Sequence, residues 1–260
     1  MLRWLKALPL ASPLTLPLTL LLTLALAALS LFAASCGSNA PSLVRFVHAI
    51  QDEGTLNVDV NGTPKFIEIS FLGVLPNQPG YITVPSGNDT VEGFLASNNT
   101  EAFISSVGWG AGSSYTMIET GFSQTGVNGS NVVPMSIPDI IPAPPSGYVE
   151  FRVIHASPSG PGTVDVYIDL NPSTGPELPI TISGLAYTQA SRYVAFAYNP
   201  NNDPIAPGFT VYVTPSGSMQ PIITQQINPG AAGAARTLVL TDMKGVPTMN
   251  TTALELNDIN

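Results

Sequence analysis

Val44-Arg45-Phe46-Val47-His48-Ala49 is echoed 107 positions later by Phe151-Arg152-Val153-Ile154-His155-Ala156. Each string leads to a short turn segment containing Gly54-Thr55 or Gly162-Thr163. Each then reaches Leu56-Asn57-Val58-Asp59-Val60-Asn61 or Val164-Asp165-Val166-Tyr167-Ile168-Asp169. These last two alternate apolar with polar or amphipathic residues, and a period of two is the pattern of half-buried strands. Further on, Ile69-Ser70-Phe71-Leu72 aligns with Ile182-Ser183-Gly184-Leu185, and Tyr81-Ile82-Thr83-Val84 with Tyr193-Val194-Ala195-Phe196. Closing strands are expected at residues 115–119 and 237–241. The repeated order of elements predicts two domains of one fold.

Composition agrees with short strands joined by turns. The 260 residues include 25 prolines and 23 glycines, and turn signals recur at Asn61-Gly62, Pro85-Ser86-Gly87, Asn199-Pro200 and Pro215-Ser216-Gly217. Outside the N-terminus no segment keeps apolar residues at helical spacing. The expected architecture is therefore all-β: two tandem immunoglobulin-like antiparallel β-sandwiches, at residues 43–133 and 148–256. Between them residues 134–147 hold Pro134, Pro138, Pro142, Pro144 and Pro145, which reads as a stiff, extended linker. With 8 basic against 17 acidic side chains and a formal charge of −9, the chain lacks the electrostatic footprint of a nucleic-acid binder.

The first 35 residues read as an export signal. Arg3 and Lys6 give a small cationic start, and Leu18 to Ala34 carries no charge. As a helix that run would reach roughly 25 Å, just short of the bilayer's hydrocarbon core. Cys36, the only cysteine, follows Leu31-Phe32-Ala33-Ala34-Ser35. This resembles the lipobox of bacterial lipoproteins, although Ala33 stands where the family more often has Leu. The resemblance implies cleavage before Cys36, diacylation of its sulfur, and attachment to the membrane through those chains. The other reading is an ordinary secretory signal with an incidental cysteine. One acyl chain gives marginal attachment and two make it stable. Gly37, where inner-membrane retention usually has Asp, favours the outer membrane or cell surface, with residues 36–42 as the tether. Losing Arg3 and Lys6 takes the formal charge from −9 to −11, so anionic headgroups would repel the body and the lipid must hold it.

The strings at 44–49, 164–169 and Leu238-Val239-Leu240-Thr241-Asp242 resemble domain of unknown function 4397. The resemblance implies a bacterial, mostly exported, immunoglobulin-like module often found in tandem. It implies no activity, since none is established for the family. The first copy departs at Ile50-Gln51-Asp52-Glu53, where the family prefers Ser-Pro-Asp-Ala; the second keeps Ser157-Pro158.

Residues able to carry chemistry are few. His48 and His155 are the only histidines, and alternation puts both on the apolar face at a strand end. There an imidazole pins the turn that follows; the sharper alternative, a metal ligand or catalytic base, lacks a second His, a thiol or a partner at recognisable spacing. Arg45 and Arg152 fall on the opposite face, expected to be exposed, where a pair with a carboxylate is worth about 0–1 kcal/mol; a contact to sulfate or a sugar acid is the alternative. Asp165, Tyr167 and Asp169 share an outward face expected to be solvated, as do Asn57, Asp59 and Asn61. A calcium site there would need further oxygens from Asp52, Glu53 or Asp203. Trp109 reads as core, equivalent to Ile227. Tyr81, Tyr187, Tyr193 and Tyr198 are the residues a carbohydrate-binding surface would use. No nucleophile elbow, zinc-helix or phosphate-loop motif is present. No catalytic residue, metal or cofactor is therefore assigned. The expected function is a non-catalytic binding or spacing module in the envelope, with an envelope protein or glycan as partner; a secreted hydrolase is the remote alternative.

Overall fold

The computed structural model describes residues 40–123, 132–170, 175–176, 179–198, 208–244 and 251–259. The signal segment and Cys36 lie outside them. Seventeen strands and no helix fill the described residues. In the first half these are β1 (Ser42–Ile50), β2 (Leu56–Val60), β3 (Thr63–Ile69), β4 (Val74–Leu75), β5 (Ile82–Val84), β6 (Gly87–Leu95), β7 (Glu101–Trp109), β8 (Ser114–Gly121) and β9 (Val133–Pro138). In the second they are β10 (Tyr148–His155), β11 (Thr163–Asp169), β12 (Ile182–Ala186), β13 (Val194–Ala197), β14 (Phe209–Pro215), β15 (Ile223–Ile227), β16 (Ala235–Asp242) and β17 (Thr251–Ile259).

Four sheets result. In the first half β4-β1-β8-β9, with β5 also on β1, faces β3-β2-β6-β7; in the second β13-β10-β16-β17 faces β12-β11-β14-β15. The strand order is the same in both halves except at β4, whose place in the second half is taken by a single bridge between Ile154 and Ala190. Within each, the first strand runs parallel to a late one, β1 with β8 and β10 with β16, while all other pairings are antiparallel. Each pair of sheets encloses its own core. Phe46, Phe66, Phe103 and Trp109 fill the first, and Phe151, Phe209, Leu238 and Leu240 the second.

A third core has no counterpart in the expectation. Val47, Ala49, Ile118 and Met135 of the first half pack with Ile154, Ala156, Val239 and Leu256 of the second. Residues Ala40–Asn260 accordingly form one compact unit. Strands β1, β8, β10 and β16 are thus buried on both faces along most of their length. Each apolar side chain so removed from water contributes about 1.5–3 kcal/mol.

Two local expectations change. The proline-rich stretch 134–147 begins with a strand, because residues 133–138 pair antiparallel with β8. Pro134 and Pro138 are tolerated there since β9 is the last strand of its sheet and their missing N–H groups face outward. The alignment of Ile69 with Ile182 is also displaced. Ile69 pairs with Leu56 and Leu185 with Val164; Leu72 and Thr188 each donate an amide to the carbonyl of the equivalent histidine, both at 2.8 Å. Both adopt positive φ, 60° and 66°. Phe71 therefore corresponds to Tyr187, and each ring stands edge-on to its histidine at 5.9 Å.

Candidate functional site

Arg45 on β1 and Arg152 on β10 leave their own cores and point toward the opposite half. Both are buried, with 0% and 2% of their surfaces exposed. This corrects the expectation of solvated arginines: the outer face of each strand is covered by the other half's sheet. The carboxylates awaiting them are Asp258 on β17 and Asp139 just after β9.

The arrangement is reciprocal. Arg45 Nη2 donates to Asp258 Oδ1, and Arg152 Nη2 to Asp139 Oδ1. Arg45 Nη1 donates to the Asn257 carbonyl and Arg152 Nη1 to the Pro138 carbonyl, each at 3.2 Å. Each aspartate is meanwhile fixed by its own half. Thr116 donates to Asp139 at 2.7 Å and Thr237 to Asp258 at 2.6 Å; Tyr81 donates to Asp139 at 2.8 Å and Tyr193 to Asp258 at 2.9 Å. The same threonines accept from the arginines' Nε atoms, at 2.7 and 2.8 Å. The Tyr81 ring lies 5.3 Å from the Arg45 guanidinium carbon, and the Tyr193 ring 4.7 Å from that of Arg152.

Burial would lower the pKa of Arg45, but the charges of Asp258 and Asp139 more than offset it and raise it above its ordinary value. Burial and the neighbouring carboxylates push the Tyr81 and Tyr193 phenols up, so both stay protonated donors. Two cations and two anions cancel in a site where an unpaired one would cost several kcal/mol. Chemically the seam is a fastener, with every guanidinium and carboxylate turned inward.

The histidines sit on the core side. His48 Nε2 donates to the Gly54 carbonyl at 2.8 Å and His155 Nε2 to the Pro161 carbonyl at 2.7 Å. Their Nδ1 atoms accept backbone amides of Ile50 and Ser157. This pattern requires neutral imidazoles. Burial lowers the pKa of His48 to about 4 and lowers that of His155 too, against the raising effect of their carbonyl partners. Neither ring has a nitrogen left for a substrate or metal.

Asp165 is also a fastener. It is 4% exposed and accepts the amides of Gly184 at 2.7 Å and Gly217 at 2.9 Å; Asn57 likewise accepts the Glu68 amide at 2.9 Å. Tyr167 is buried as well, so the outward face of β11 is covered by turns, a correction to the solvated face expected there. Trp109 and Ile227 both lie in cores. The four tyrosines form no exposed platform: Tyr198 is buried, Tyr187 packs on His155, and Tyr81 and Tyr193 belong to the seam. Among the described residues no three His, Cys, Asp or Glu side chains gather as a metal site would require; Asp203 lies outside them.

One buried acid escaped the sequence reading. Glu119 on β8 is fully buried, pairs in register with His48, and has no partner for either carboxylate oxygen within hydrogen-bonding geometry, Ser105 being the polar group nearest in effect. Burial pushes its pKa up to about 8. Leu240 holds the same place beside His155. Comparing Glu119 with Leu240 in the two closing strands would have flagged it.

Fold and seam define a class: an all-β protein of two sandwiches fastened through their backs. Residues 42–167, from the start of β1 into β11, match the family described as Domain of unknown function (DUF4397). No curated protein matches the chain. Among solved structures, the Bacillus anthracis TIE protein is 10% identical, with 79% of this chain and 34% of that one covered and a TM-score of 0.25. This chain thus spans about a third of its length. Candidate cell adhesion proteins of Bacteroides fragilis and Bacteroides ovatus are each 10% identical. They cover 84% and 86% of this chain and 97% and 99% of their own, with TM-scores of 0.21 and 0.20. Likeness at that level carries no functional argument.

Proposed function

We propose that the chain is a lipid-anchored cell-envelope protein, exported by residues 1–35, cleaved before Cys36 and acylated there. Its body is a non-catalytic spacer or binding module at the outer membrane or cell surface. In this reading the second sandwich is a second copy of the matched family unit, arising by duplication. The observation that carries the non-catalytic part is the fate of the reactive side chains. Both histidines, both seam arginines, Asp139, Asp258 and Asp165 are consumed in internal hydrogen bonds. A body so cross-tied suits holding a distance better than turning over a substrate. A carbohydrate-binding reading needs exposed rings, and the tyrosines considered for it are engaged elsewhere.

The test is the intact mass of the protein from the membrane fraction of the expressing cell. The expected result is a chain that begins at Cys36, carries acyl mass, and moves to the soluble fraction on Cys36→Ser. A chain cleaved elsewhere, or a Cys36→Ser variant that partitions as the native chain does, overturns the anchor.

A further inference from the structure

The first strands of the two halves start together at one end of the seam. Arg45 and Arg152 both reach Asp139, the former with Nη2 3.6 Å from its carboxylate. Four residues further along, Ala49 lies beside Thr120, which donates to the Ala156 carbonyl at 2.5 Å. Strands β1 and β10 therefore run the same way, and Ser42 and Tyr148 mark one end. That is also the end the tether reaches. Only four peptide steps separate Cys36 from Ala40, a span of at most about 14 Å.

Among the described residues, the connections that enter or leave the seam sheets at this end are residues 40–41, 85–87, 110–113, 140–147 and 229–234. They are tied to the strand starts and to one another. Ser42 Oγ donates to the Gly110 carbonyl at 2.8 Å, the Gly112 amide to Pro41 at 3.2 Å, the Tyr148 amide to Pro145 at 3.0 Å and the Gly233 amide to Tyr148 at 2.7 Å; Ser42 pairs with Val84. All five are made of Pro, Ala, Gly, Ser and Ile alone, without one charged side chain. The nearest acids, Asp139 and Glu150, are buried. What stands exposed is apolar: Leu43 at 38%, Ile140 at 79% and Tyr148 at 39%. At the other end of the seam Gln51 Nε2 donates to the Met243 carbonyl, and there the neighbouring residues include Asp52, Glu53 and Lys244.

We propose that the uncharged end of the seam is a membrane-contact face, held against the bilayer surface by the lipid on Cys36 so that Leu43, Ile140 and Tyr148 enter the headgroup region. The inference rests on the acylation of Cys36 proposed above. The short tether makes the contact intramolecular, so a weak affinity of the face for lipid suffices to keep it seated. Aliphatic groups gain by leaving water, and a tyrosine ring suits the interface, with its hydroxyl kept wet. Anionic headgroups repel acids within a Debye length of about 8 Å, and this face presents none although the chain carries a formal charge of −9. Seated in this way, the body turns the Asp52 and Lys244 end away from the membrane.

The probe is phosphatidylcholine vesicles bearing the full protein taken from the membrane fraction, its acyl mass confirmed, with an environment-sensitive fluorophore on Ala143→Cys or on Lys244→Cys. Acylated Cys36 leaves the introduced thiol as the one that labels. Relative to the same labels on Cys36→Ser chains in solution, iodide quenching at position 143 should fall about threefold or more on vesicles, while quenching at position 244 holds. Ile140→Glu should restore quenching at position 143 with the protein still on the vesicles and its melting temperature in place, since Ile140 is exposed. Missing acyl mass would overturn the anchor and this face together. With acyl mass confirmed, three results overturn the face alone: equal quenching at both positions; shielding that survives Ile140→Glu; or shielding that grows with concentration in the Cys36→Ser chain without vesicles, as a second copy covering the face would give.

Discussion

The seam's two sides are nearly superimposable in chemistry, each contributing an arginine, a threonine, a tyrosine and an aspartate in the same roles. The strands behind them are not. The first half holds an ionisable glutamate, Glu119, where the second holds Leu240, and the first sheet's edge is proline-blocked where the second's is open. The arginine–aspartate groups that join the halves therefore come in satisfied pairs. Glu119, whose carboxylate has no hydrogen-bond partner, has no acidic counterpart in the second half. A symmetric feature serves the common fold, and an asymmetric one is where a half has its own liability or task.

The strongest way to break the symmetry is to strand a charge. Arg45→Ala leaves Asp258 buried without its cation and should cost about 3–5 kcal/mol in urea unfolding of the full chain. Arg152→Ala should cost a comparable amount through Asp139. Arg45→Ala with Asp258→Ala should cost clearly less than the two single changes added. Additive losses would mean that the exchanged pairs do not act as pairs.

The next effect sharpens the contrast between the halves. Glu119 has a folded pKa of about 8 against an ordinary 4.5. The folded state thus holds this proton more tightly, and the associated stability is complete below about pH 4.5 and lost as pH rises through 8. Glu119→Leu, which copies Leu240, should flatten that alkaline loss and stabilise the chain by about 3 kcal/mol near pH 9, with less gain near pH 5. Equal gains at both pH values would show that the carboxyl does not titrate in place.

On the acid side the histidines act in the opposite sense. His48 has a folded pKa of about 4 against 6.5, so the unfolded chain binds its proton more readily. Stability is present above about pH 6.5 and falls as pH drops through 4, by about 2–3 kcal/mol for this residue. His48→Gln should make the acid limb of a stability–pH curve shallower, and His155→Gln should do the same. The smallest effect concerns the seam phenols. Tyr81→Phe and Tyr193→Phe should each cost about 1.5 kcal/mol, with similar values for both, because each removes one donor from a carboxylate. Marked inequality in chemical denaturation would show that the halves share geometry but not energetics.

Much of this fold was readable in advance. Alternation in 56–61 and 164–169, the echoed strings at 44 and 151, and turn residues between them suffice for an all-β chain with repeated strand order. The histidines were readable as turn pins because both stand on an apolar face just before a glycine-containing loop. What alternation cannot reveal is what covers a polar face. Arg45 and Arg152 look the same in sequence whether water or another sheet lies above them, and the carboxylates they meet are 213 and 13 residues away. Proline in 134–147 argued for a spacer because a missing N–H disqualifies only a strand paired on both sides, and β9 is paired on one. The misplacement of Ile69 arose because Glu68 and Gly184 take the same left-handed turn after loops of different length, which apolar matching does not register.

The seam should make the two sandwiches unfold as one body. Hydrogen exchange across the full chain, with and without Arg45→Ala, tests that most directly. The prediction is that β1, β8, β10 and β16 share one opening free energy and that the substitution lowers protection in all four together. Independent opening of β10 and β16, with their protection untouched by the loss of Arg45, would contradict it.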